Sequence, residues 1–209
     1  MPDLRVHIVD DDAPFRDALR TLLEAKGWPV REFASGRAFI EHVDRNAEGC
    51  ALVDVNMPEL DGLALQEMLN ARGIGIPLII MTGRADVPMA VRAMKAGAVD
   101  FIEKPFETAT VLSALDAARS RLRPAVFDDP RIASFRARLS ALTPREREVL
   151  EAVVAGNPTK VIAYQLDISP RTVHVHRARI GEKLEVTGLS NLVRLALAAG
   201  VSGRVIKST

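Results

Sequence analysis

Residues 50–62 read CALVDVNMPELDG, and this stretch decides the fold of the N-terminal half of the chain. Ala51-Leu52-Val53 is an apolar run of buried-strand type that delivers Asp54 to its end. Met57-Pro58 and Asp61-Gly62 then turn the chain toward a helical pattern. A carboxylate at the end of a buried strand needs a cation or hydrogen-bond donors, because desolvating the bare ion costs several kcal/mol.

The same alternation of short apolar runs and amphipathic segments recurs on both sides of this stretch. Strand-like runs are Arg5–Val9, Val30–Phe33, Ala51–Val53, Leu78–Met81 and Asp100–Ile102. Helical patterns occupy Phe15–Lys26, Ala38–Asn46, Leu63–Arg72, Val87–Ala96 and Thr108–Arg121. Strand and helix in alternation predict an α/β domain, a doubly wound five-stranded parallel sheet with helices on both faces. Such a sheet keeps its chemistry at the carboxyl ends of its strands, near the topological switch point.

The residues at those ends are chemically matched. Asp10-Asp11-Asp12 follows the first strand, Asp54 the third and Thr82-Gly83 the fourth, and Lys104-Pro105 lies past the fifth. Acidic groups from two strands suit a hard divalent cation with an oxygen shell, Mg²⁺ above all. Lys104 supplies a fixed positive charge and Thr82 a hydroxyl, a pair suited to the oxygens of a transferring phosphoryl group. The set reads as an aspartyl-phosphate site. Asp12, just before Pro14, is read instead as the cap of the first helix.

The formal charge of +1 over 209 residues conceals an asymmetry. Residues 1–122 carry 14 Lys and Arg against 19 Asp and Glu, whereas residues 140–209 carry 10 against 6. A basic C-terminal third is what contact with a polyanion requires, although a solvated basic face has the same composition. The single cysteine, Cys50, excludes a disulfide framework and a thiolate zinc site, and its place in a strand predicts a buried core thiol. No apolar run reaches the roughly 18–20 residues that span a bilayer, and no secretory leader pattern opens the chain, so a cytoplasmic protein without membrane contact is expected.

Pro124 ends the last amphipathic pattern, and residues 123–139 read as a linker with a short spacer helix from about Arg131. Four helical segments follow within residues 140–209. Thr143 with Glu146 forms a capping-box signature, and Gly156-Asn157 stops that first helix. A second opens at Pro158 or Thr159, a third at Ser169-Pro170, and a fourth covers Leu189–Ala199. In the third, Val173, Ile180 and Leu184 form a packing stripe, while Arg171, His174, Val175, Ala178 and Glu182 lie on the opposite face. A short turn leading into a helix with a basic exposed face is the form of a helix-turn-helix reader of the major groove.

Residues 1–122 resemble the receiver domain of two-component response regulators. The resemblance rests on HIVDDD (7–12), LVDVNMPELDG (52–62), IIMTG (79–83) and MKAGAVDFIEKPF (94–106). It implies a CheY-like (flavodoxin-like) fold, with Asp54 as phosphoacceptor and Lys104 and Thr82 on the phosphoryl oxygens. It also implies Mg²⁺ held by Asp10, Asp11, Asp54 and the Asn56 backbone carbonyl, a cis Lys104-Pro105 peptide, and Phe101 as an aromatic switch coupled to Thr82. Residues 142–156 and 160–184 resemble the all-α four-helix DNA-binding domain of LuxR-type regulators, so the whole chain is similar to FixJ-like members of the NarL/FixJ family. By position, Arg171, His174 and Val175 are then expected on base edges, and Lys160, Thr172, His176, Arg177, Arg179 and Lys183 on phosphates.

The expected function is that of a DNA-binding transcriptional regulator that takes a phosphoryl group from a sensor histidine kinase at Asp54 and hydrolyses it there. Receiver dimerisation through Val87–Gly97, the fifth strand and the fifth helix, release of the DNA-binding domain, a homodimer on promoter DNA and contact with RNA polymerase are the family's further implications. Three rival readings fit the chain less well. An Mg²⁺-dependent phosphatase with an aspartate nucleophile wants a second aspartate where this chain has Asn56, and a flavin carrier would not place three aspartates in its phosphate loop. A DNA-binding protein with a vestigial, phosphorylation-independent receiver is disfavoured by the complete set Asp10, Asp11, Asp54, Thr82 and Lys104.

Overall fold

The computed structural model describes residues 4–83, 86–122 and 130–203. Five strands, β1 (Val6–Val9), β2 (Val30–Phe33), β3 (Cys50–Asp54), β4 (Leu78–Thr82) and β5 (Asp100–Glu103), form one parallel sheet in the order β2-β1-β3-β4-β5. They alternate with helices α1 (Ala13–Ala25), α2 (Gly36–His42), α3 (Gly62–Ala71), α4 (Val87–Lys95) and α5 (Thr108–Arg121). The chain runs outward from β1 to β2 and then returns to lay β3 on the other side of β1, which makes the β1/β3 junction the switch point. The pairing Val9↔Val53 sets the two carboxyl ends level, so that Asp10 and Asp54 emerge side by side.

Side-chain alternation gives the sheet its two buried faces. Val6, Ile8, Cys50, Leu52, Ile79 and Met81 share one core with Leu19 and Leu23 of α1 and Val111, Ala114, Leu115 and Ala118 of α5. Cys50 is fully buried in that core as expected, and burial pushes its thiol up to about 12. β3 extends one residue beyond the apolar run to include Asp54, and β4 includes Thr82, because their ladder partners Met81 and Glu103 continue the pairing.

Local chemistry fixes the helix starts. Asp12 accepts from the Phe15 N–H and caps α1, as expected, and Asp61 accepts from the Ala64 N–H and caps α3. The residue after that cap has to be glycine. A Cβ on Gly62 would stand 2.3 Å from the Asp54 carbonyl oxygen, so the loop 55–61 can fold back behind β3 only without one.

The second part is all helical: α6 (Pro130–Arg138), a single 3₁₀ turn, α7 (Pro144–Ala155), α8 (Thr159–Gln165), α9 (Pro170–Leu184) and α10 (Leu189–Ala198). The Thr143/Glu146 capping box forms, Gly156 closes α7 in the left-handed conformation, and Ser169 accepts from the Thr172 N–H at the start of α9. Val173, Ile180 and Leu184 are buried as the packing stripe. α6 lies in the stretch read as a linker, of which residues 123–129 fall outside the described residues. It is no bare spacer, since Phe135 is 1% exposed and the helix packs on α10 and α9. Among the described residues no helix is long and apolar enough to cross a membrane.

Candidate functional site

At the carboxyl end of the sheet one ammonium group joins two carboxylates. Lys104 Nζ donates to Asp10 Oδ2 at 2.6 Å and to Asp54 Oδ1 at 2.7 Å. The remaining oxygens are used by the backbone: Asp12 N donates to Asp10 Oδ1 at 2.9 Å and Asn56 N to Asp54 Oδ2 at 2.6 Å. Both acids are buried, and burial pushes the Asp10 carboxyl up from its ordinary value against the pull of Lys104 and the Asp12 N–H. The Lys104-Pro105 peptide is cis, and Lys104 reaches the site from just beyond β5.

Thr82, at the end of β4, is fully buried, with its hydroxyl 3.5 Å from Asn56 Nδ2. Phe101, the expected aromatic switch, is a buried residue of β5. Asp11 is exposed. Among the described residues no three acidic, histidine or cysteine side chains are grouped so as to hold a metal ion. Asp10 and Asp54 form a pair bridged by the Lys104 ammonium, which stands where their charges converge.

Sequence reasoning did not single out two aromatic rings beside this site. The Phe15 ring, from the first turn of α1, lies with its centroid 3.9 Å from Lys104 Nζ, and Phe106 meets Phe15 edge-on at 5.9 Å. The contact joins residues 89 positions apart, so no local pattern announces it.

On the helical side, α9 presents Arg171, His174, Val175 and Arg179 to solvent, and Lys160 is exposed on α8. Thr172 packs its hydroxyl 2.8 Å from Ser169 Oγ. His176 and Arg177 are only partly exposed: a ring nitrogen of His176 is buried, and burial pushes the Arg177 guanidinium below its ordinary value. Both were expected on phosphates. The stripe that packs α9 on its neighbours is wider than the three apolar residues read from spacing. Tyr164, not singled out from the sequence, is 88% exposed one turn after Lys160, on a helix whose Ile162 and Ala163 are buried.

Lys183, expected on a phosphate, donates to Glu146 Oε2 at 2.7 Å, while the same carboxylate accepts from the Thr143 N–H. These bonds pull the Glu146 carboxyl down to about 2 from an ordinary 4.5. A depressed folded-state value means that the ionised form stabilises the fold. That contribution is complete above about pH 4.5 and is lost as pH falls toward 2. With the Lys183 side chain 36% exposed, solvent screening reduces the effect to about 1–2 kcal/mol. Lys183→Met is expected to flatten the dependence of unfolding free energy on pH between these limits, measured by urea titration. An unchanged slope would show that Lys183 does not hold Glu146.

Residues 6–116 match the family described as response regulator receiver domain, and residues 140–196 match bacterial regulatory proteins of the luxR family. The chain is 48% identical over 200 residues to the transcriptional regulatory protein FixJ of Rhizobium meliloti (strain 1021), covering 96% of this chain and 98% of that protein. It is 40% identical over 190 residues to the response regulator protein TodT of Pseudomonas putida (strain F1), covering 91% and 84% respectively. Among solved structures, full-length FixJ from B. japonicum aligns with a TM-score of 0.56 at 42% identity, covering 96% of this chain and 98% of that one. A receiver joined to a LuxR-type domain implies a sensor kinase as partner and DNA as ligand. The chain therefore belongs to the FixJ-type transcriptional regulators, the response regulators of two-component systems in which a receiver precedes a LuxR-type DNA-binding domain.

Proposed function

We propose that residues 1–122 accept a phosphoryl group at Asp54 and that residues 140–209 bind promoter DNA, joined through residues 123–139. The observation that carries this reading is the Lys104 ammonium held against Asp54 and Asp10 at the switch point of the sheet. In the transfer, an Asp54 carboxylate oxygen forms the new P–O bond while the P–N bond to the kinase imidazole breaks, its electron pair returning to the ring nitrogen. Lys104 gives up its bond to Asp54 Oδ1 and neutralises a phosphoryl oxygen, and the Thr82 hydroxyl donates to another. Water later hydrolyses the acyl phosphate at the same residue, which is the extent of the protein's own catalysis.

Three carboxylates, Asp10, Asp11 and Asp54, against one ammonium leave a formal surplus of two negative charges, and their hard oxygen donors together with the Asn56 carbonyl suit Mg²⁺. Bound there, Mg²⁺ would offset charge on the transferring group. Phe101 turning inward as Thr82 moves would alter the surface of Val87–Gly97, β5 and α5, favouring a homodimer and freeing the DNA-binding domain. Arg171, His174 and Val175 then read base edges, with Lys160, Thr172, His176, Arg177, Arg179 and Lys183 on the backbone. Contact with RNA polymerase follows at the promoter.

The test is labelling of the full chain with radioactive acetyl phosphate and Mg²⁺. Asp54→Asn is expected to reduce incorporation at least about 100-fold, the loss that follows when the only nucleophile of a covalent step is removed. Undiminished labelling would place the phosphoacceptor elsewhere. In parallel, donor-dependent enrichment of genomic DNA fragments carrying paired half-sites supports phosphorylation-driven binding, whereas equal enrichment without donor favours a vestigial receiver.

A further inference from the structure

An ammonium group has three N–H donors and must place all of them when its surroundings are largely dry. Lys104 directs two at Asp10 Oδ2 and Asp54 Oδ1, and its side chain is 18% exposed. The Phe15 ring lies against the same nitrogen, 3.9 Å from nitrogen to centroid, which is within cation–π range. The ring is itself held. Phe106, two residues beyond Lys104, meets it edge-on with planes at 79°, and both rings pack against the core shared by α1, β1, β3 and α5.

This arrangement gives Phe15 a task that core packing alone does not require. Lys104 has to leave Asp54 Oδ1 for a phosphoryl oxygen that arrives in the same space. During that exchange one of its two ionic partners is lost or weakened. A long, flexible side chain would then be free to swing into water, at a cost in side-chain order on return. The Phe15 face is the partner that does not change during the exchange, because it belongs to α1, whose start is fixed by the Asp12 cap and by Arg16 Nη1 donating to the Asp10 carbonyl at 2.6 Å.

We propose that Phe15 is a positioning residue for phosphoryl transfer, holding the Lys104 ammonium beside Asp54 through the face of its ring, with Phe106 fixing that ring. The inference rests on the reading of Asp54 as phosphoacceptor. It concerns how Lys104 is kept in place, which that reading leaves open.

The experiment uses the full chain with acetyl phosphate and Mg²⁺, comparing Phe15→Leu, Phe15→Tyr and chains in which Phe15 is replaced by mono-, di- and trifluorophenylalanine. Fluorination drains the negative face of the ring while nearly preserving its shape, so packing is kept as the cation–π contact is weakened. The labelling rate is expected to fall stepwise with fluorine number, to fall roughly 3- to 30-fold in Phe15→Leu, and to recover in Phe15→Tyr. An independent reading comes from NMR without donor or metal: the Lys104 ε-methylene protons, lying over the ring, should be shifted upfield by its ring current and return toward random-coil positions in Phe15→Leu. Rates unchanged within a factor of about two across the fluorinated series, or unshifted Lys104 resonances in the parent chain, overturn the proposal. Labelling that survives Asp54→Asn defeats the underlying reading instead. Labelling abolished by Asp54→Asn but indifferent to ring fluorination defeats only the role of Phe15.

Discussion

Lys104→Met is expected to destabilise the sheet-containing unit by about 2–4 kcal/mol at neutral pH and to remove most donor-dependent labelling. The substitution keeps the length of the side chain and leaves a thioether against the Phe15 ring, so packing changes little. What it removes is the cation shared by Asp10 and Asp54, whose side chains are 1% and 8% exposed. Two desolvated carboxylates left facing one another repel, and neither can recover its hydration without opening the site. The pair of backbone donors, Asp12 N and Asn56 N, satisfies one oxygen on each acid and does not cancel a charge. A double substitution separates this account from a packing defect. Asp10→Asn added to Lys104→Met should restore most of the lost stability in urea unfolding, because one of the two repelling charges is gone. If the double variant is as unstable as the single one, charge compensation is not what Lys104 contributes to the fold.

The same residues show what a sequence can and cannot disclose. Asp54, Asp10, Thr82 and Lys104 were legible because each stands at the end of an apolar strand-like run, and a parallel sheet brings all such ends to one edge. The cap residues Asp12, Thr143 and Ser169 were legible because capping is settled within three residues. The bond of Lys183 to Glu146 was not legible for the opposite reason. On α9 alone Lys183 is a basic residue near the exposed face, and only the approach of α7 brings the buried Glu146, 37 residues away, onto its ammonium. The contact of Phe15 with Lys104 is likewise a product of tertiary packing, invisible to helical periodicity, whereas His176 and Arg177 flank the packing stripe of Val173 and Ile180 by spacing alone. Asp10 and Asp11 are alike in sequence, and only the fold separates their surroundings, Asp11 being exposed where Asp10 is buried.

The segment before the DNA-binding helices supplies the other large effect. Phe135→Ala is expected to lower the stability of the all-helical unit by about 3–5 kcal/mol, the cost of a buried aromatic side chain and the cavity that it leaves. Phe135 is 1% exposed and borders the same hollow as Leu184 at the end of α9, Val186, and Leu195 of α10. Loss of its ring would loosen α9 and α10 together, although neither is altered in sequence. The neighbouring Arg138–Glu185 ion pair, at 2.7 Å with both side chains well exposed, should matter far less, and Arg138→Ala should cost under about 1 kcal/mol. The chain carries its own reporter for the distinction, since its single tryptophan, Trp28, packs against the core of the sheet. In a denaturant titration followed by both signals, Phe135→Ala should move the part of the helical circular-dichroism change that belongs to α6–α10 to lower urea and leave the Trp28 fluorescence transition where it was. A change below about 1 kcal/mol would mean that α6 is a detachable spacer, as its composition alone suggests, and that the DNA-binding unit is complete without it.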